Sequence, residues 1–77
     1  MKQQTKAFIV SIEITISGYV YYHSWIINTF NHCYAEILLE QHVENLYKDQ
    51  EYEYSISGVY AVDKKDIATI KQFIPAI

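Results

Sequence analysis

The sequence contains no arginine, one cysteine, one proline and two glycines. Each scarcity excludes something. Without arginine the chain lacks the side chain that grips phosphate and guanine through a planar fork. A formal net charge of −3 points the same way, so direct nucleic-acid binding is the least expected class. The lone Cys33 can close no disulfide within the chain and belongs to no CxxC frame, which fits a reducing cytoplasm. No run of about 18 apolar residues exists to span a membrane. The charged start at residues 1–6 leads into a run broken by Ser11, Glu13, Thr15 and Ser17, which reads as a strand and not as a signal peptide.

What is present is apolar and aromatic. Of 77 residues, 51% are hydrophobic, 16% aromatic and only 19% charged, which suits one compact domain over 1–77 and argues against disorder. Twelve Ile, eight Tyr and six Lys, with no Arg, match the bias of AT-rich codons.

Period-two alternation over 7–17 puts Phe8, Val10, Ile12, Ile14 and Ile16 on one face of a strand. A two-residue turn at Ser17-Gly18 sets the register of a second strand, 19–27. It opposes Ile16 to Tyr19, Ile14 to Tyr21, Ile12 to His23, Val10 to Trp25 and Phe8 to Ile27, and a one-residue slip would spoil that face. Asn28, Thr29 and Asn31 are candidate caps for a helix over 31–48, with Ala35, Leu38, Leu39, His42, Val43 and Leu46 on its apolar side. Lys48 follows Glu44 by four, the favourable order for a helical ion pair. Residues 51–62 alternate again, with Tyr52, Tyr54, Ile56, Gly58, Tyr60 and Val62 on one face; Gly58 marks a bulge or a close approach. Asp63 is placed to cap a helix over 64–74 that Pro75 stops. The expected fold is α+β in the order ββαβα. Its three-stranded antiparallel sheet runs 2-1-3, with the long helix on one face and a short C-terminal helix.

No motif names a reaction. His23, on the core-facing side of the second strand, and His42, on the apolar side of the helix, could meet across the core. A metal there would need a third ligand, and the nearby pair His32 and Glu36 lies on a different helix face. Core histidines are the expectation, with no metal, no cofactor and no catalytic residue. Cys33 beside His32 is not expected to act as a nucleophile, since neighbouring helical side chains diverge by about 100°.

The polar signal lies elsewhere. Glu36, Glu40 and Glu44 repeat every four residues, about 6 Å apart along a helix. Glu51 and Glu53 extend the acidic series, and the spacing resembles that of phosphates on a nucleic-acid strand. Tyr34 on the helix and Tyr22 on the outer sheet face add large rigid contact surfaces. Ile9, Val20, Ile26, Val59 and Ala61 are expected beside Tyr22, and such a face needs a cover: the C-terminal helix, a second copy or a partner.

These residues point to a small non-enzymatic binding module whose partner is a protein with a basic surface. Its composition resembles that of small accessory proteins of low-GC phages and mobile elements. Many of those inhibit host defence or nucleic-acid-handling complexes, as anti-CRISPR and anti-restriction proteins do. An antitoxin, immunity or structural subunit acting as a homodimer or larger homo-oligomer is the alternative.

Overall fold

A computed structural model describes residues 4–77. Three 11-residue strands, β1 (Lys6–Ile16), β2 (Tyr19–Thr29) and β3 (Tyr52–Val62), form an antiparallel sheet in the order β2-β1-β3. The 15-residue helix α1 (His32–Leu46) joins β2 to β3 and packs on one face. The architecture is therefore α+β with the expected strand order.

The hairpin has the register that the alternation requires, from Ile16 opposite Tyr19 down to Phe8 opposite Ile27. Its turn residues both have positive φ, 53° at Ser17 and 82° at Gly18. Two left-handed residues in succession twist a turn to match the right-handed twist of the strands it joins, and glycine takes that conformation at no steric cost. Under α1, Phe8, Val10, Ile12, Ile14, Trp25 and Ile27 meet Ala35, Leu39 and Val43. The buried helical stripe is narrow: Leu38 and Leu46, expected within it, are exposed. Asn31 caps the helix, its Oδ1 accepting the Tyr34 N–H at 3.0 Å. The helix ends at Leu46, so Lys48 falls outside it and forms no helical pair with Glu44.

β3 departs from simple alternation. Ser11 lies opposite Gly58 but Ile12 lies opposite Ile56, so Ser57 is an extra residue. The Ser57 hydroxyl donates to the Ser11 carbonyl at 3.1 Å, holding the bulge to β1. One added residue exchanges the two faces beyond it. Val59 therefore joins the helix-side core, and Ala61 lies opposite core-facing Phe8. Gly58, Tyr60 and Val62 turn to the outer face, reversing the expected assignment of residues 58–62. The Tyr60 ring lies across Gly58, where any Cβ would strike it.

The C-terminal part is shorter and less helical than its pattern implies. A 3-10 turn (Lys64–Asp66) precedes a single helical turn, α2 (Ile67–Ile70), and Asp63 makes no side-chain cap. The chain then reaches the outer edge of β2. There the Ile26 N–H donates to the Pro75 carbonyl and the Ile26 carbonyl accepts the Ile77 N–H, both at 2.9 Å. Ile26 and Ala7, both on the outer face, are buried at this end.

Lengths explain what stays uncovered. An 11-residue strand spans about 36 Å and a 15-residue helix about 22 Å. Helix α1 starts at the lower end of β2, so the hairpin end overhangs it on the β2 side. Tyr19 and Tyr21, although on the core-facing side of the sheet, are consequently exposed.

Candidate functional site

Helix rotation decides where the acidic residues sit. With Ala35, Leu39 and Val43 directed at the sheet, Glu36, Glu40 and Glu44 fall on one flank of α1, and that flank overlooks β3. Tyr54 registers the nearness of Glu40 and Glu44. Burial first, then the Glu40 carboxylate, Tyr52 and the Glu44 carboxylate, push its phenol above the ordinary value of 10.0. Tyr47, Tyr52 and Tyr54 form an aromatic row beneath this flank, with ring centroids 5.7 and 6.2 Å apart in succession.

Below the row lies a free strand edge. Among the described residues β3 pairs only with β1. The Ile26 backbone bonds the tail, so the outward-directed groups of the β1–β2 ladder can be placed by alternation. Carried across β1, the same alternation turns the N–H and C=O groups of Tyr52, Tyr54 and Ile56 away from the sheet. Beyond the bulge those of Val59 and Ala61 do the same. The other edge, at β2, is capped around Ile26 by the C-terminal residues.

On the outer face of the same region, Glu53 lies opposite Thr15 and Glu13 lies opposite Ser55. Glu13, Thr15, Glu53 and Ser55 line a shallow groove there, and Glu51 borders a second groove beside the Ser17-Gly18 turn. Glu40, Glu44, Glu51 and Glu53 thus flank the upper part of β3 from both sides of the sheet, while Glu36 lies two helical turns before Glu44 on the same flank of α1. Glu13 joins them. Alternation puts Glu13 on the polar face of β1, but only the strand pairing sets it opposite Ser55 and so beside the other carboxylates.

The two tyrosines do not join this set. Tyr34 is 52% exposed on the far flank of α1 and packs edge-on against Phe30 at 6.2 Å. Tyr22 is 75% exposed on the outer face of β2. The expected outer-face company of Tyr22 also changes, since the bulge carries Val59 and Ala61 to the other side.

The histidines have aromatic partners. The His23 ring stacks on Trp25 at 5.5 Å and the His42 ring meets the same indole edge-on at 5.1 Å. Trp25 is 8% exposed, His42 half-buried and His23 exposed, so His23 is not the core residue its strand face implied. Cys33 and His32 do approach: the Cys33 Sγ lies 3.6 Å from His32 Nε2 on the exposed first turn of α1. Their Cβ atoms diverge, but the imidazole is long enough to swing its far nitrogen to the thiol. Among the described residues no three His, Cys, Asp or Glu side chains are placed to hold a metal ion, and no helix is long and apolar enough to cross a membrane.

No protein-family model matches this chain, no curated protein matches its sequence, and no solved structure matches it. The functional reading therefore rests on the geometry above.

Proposed function

We propose that this protein is a non-catalytic binding module that engages a basic protein surface through the acidic flank of β3. The observation that carries the reading is that Glu40 and Glu44 on the helix and Glu51 and Glu53 on the strand border one strand edge, with Glu36 continuing the same helix flank. Opposed charge steers encounter and fixes orientation, and it disfavours partners of like charge. A surface lined with Lys or Arg that otherwise holds nucleic-acid phosphates presents the complementary pattern. The role that follows is inhibition of a host defence or nucleic-acid-handling complex, of the anti-CRISPR or anti-restriction kind, in the cytoplasm. Tyr22 and Tyr34 lie too far round the molecule to share a single small interface with the glutamates, so the acidic flank alone is the proposed contact.

The test is capture from a cell lysate with the wild-type protein and a Glu36→Lys/Glu40→Lys/Glu44→Lys variant. The wild type should retain Lys- and Arg-rich proteins that the variant and a high-salt wash both release. Identical captured sets would remove the helix flank from the interface.

A further inference from the structure

The free edge of β3 defines how a partner would be held. We propose that the segment of β3 from Tyr52 to Ile56 accepts an additional strand from a partner, and that this strand is basic. The inference rests on the reading of the acidic flank as a binding surface and adds its geometry.

An unpaired strand edge presents a row of donors and acceptors that another extended chain can satisfy. Here Tyr52, Tyr54 and Ile56 turn those groups outward in regular alternation. The bulge at Ser57 breaks the row, so a regular added strand pairs with one side of it only. The side toward the hairpin is the charged one. An incoming strand beside Tyr54 would have Glu40 and Glu44 above it on the helix side. Glu53 and Glu13 lie on the opposite side of the sheet. Side chains of a strand alternate between faces, so both faces of the occupant meet carboxylates. Lys or Arg is therefore favoured on each face. A second copy of this chain fits poorly, because antiparallel pairing of two β3 edges would set the acidic flank against itself. The β2 edge is a weaker candidate, since residues 75–77 already occupy it around Ile26.

The probe is a synthetic octapeptide, Lys-Lys-Val-Thr repeated once, which as a strand carries lysines on both faces. Its control is the same peptide N-methylated at alternate residues, which keeps the charge but removes the pairing amides. Affinity is measured by calorimetry, and amide hydrogen exchange is followed on the full chain. The unmodified peptide should bind at least tenfold more tightly than the methylated one and slow exchange at Tyr52, Tyr54 and Ile56. Equal affinity for both peptides, sensitive to the triple lysine variant, would overturn strand addition while leaving the acidic surface standing. Binding of neither peptide, or binding indifferent to the triple variant, would overturn both. Sedimentation showing a dimer that protects those three amides would assign the edge to a second copy and refute the basic occupant.

Discussion

Deleting Ser57 should be nearly harmless, although it shortens an edge strand by one residue. Ser57 is the surplus member of the bulge, so its removal lets Gly58 follow Ile56 directly and still lie opposite Ser11. Val59 keeps its place opposite Val10, and Tyr60 its place opposite Ile9. What is lost is the Ser57 hydroxyl bond to the Ser11 carbonyl, on an exposed residue. One such bond contributes about 1 kcal/mol, or roughly 4–8 °C in Tm for a domain of this size. Deleting Val59 also removes one residue, with a different result. The ladder again closes without a bulge, but Gly58 now occupies the helix-side position opposite Val10. Losing the half-buried valine and, with the bulge, the Ser57 hydroxyl bond should cost roughly 2–3 kcal/mol in all. Urea unfolding followed by Trp25 fluorescence gives both numbers, since Trp25 is the only tryptophan and lies in the core. If the Ser57 deletion proved as damaging as the Val59 deletion, the extra residue would not be a passive insertion and the face assignment beyond it would be wrong.

Other expectations follow from the same packing. Leu39→Ala empties a fully buried position at the centre of the helical stripe and should cost 2–5 kcal/mol by urea titration; a loss under about 1 kcal/mol would mean α1 packs elsewhere. Tyr54 ionises late because burial and then Glu40, Tyr52 and Glu44 favour its neutral form, so its contribution to stability is present below pH 10.0 and is lost as pH rises through the raised folded value. Glu40→Gln/Glu44→Gln should bring the Tyr54 phenol partway back toward 10.0 in an NMR titration of the ring carbon; an unchanged midpoint would place the carboxylates away from β3. Removing residues 75–77 deletes both backbone bonds to Ile26, a loss of about 2 kcal/mol, and should increase concentration-dependent association by baring the β2 edge.

The hairpin was legible because one Ser-Gly pair separates two alternating runs and only one register keeps Phe8, Val10, Ile12 and Ile14 on the side of Trp25 and Ile27. The helix was legible from Ala35, Leu39 and Val43 and from the cap at Asn31. In the far half of β3 Gly58 did mark a bulge and a close approach, but the exchange of faces beyond it was not legible, because an inserted residue leaves the local composition unaltered. The chain segment that approaches Gly58 is the Tyr60 ring, two residues on. The exposure of His23 was illegible for another reason: alternation assigns faces, whereas coverage depends on how far a shorter helix reaches along a longer strand. The C-terminal helix failed because its spacing of Ile67, Ile70 and Ile74 is met equally by a brief turn followed by an extended tail. At the candidate site, the four-residue spacing of the glutamates was visible at once. Their position over β3 was not, since it depends on the rotation of α1 about its axis.

The acidic flank and the upper edge of β3 should behave as one surface. Backbone amide shifts of the labelled protein, recorded as the Lys-Lys-Val-Thr repeat peptide is added, are the decisive measurement. Shifts should concentrate at 52–56 and at Glu40 and Glu44, with Tyr22 and Tyr34 unmoved. Shifts centred on Tyr22, on Tyr34 or on the β2 edge, with β3 silent, would contradict it.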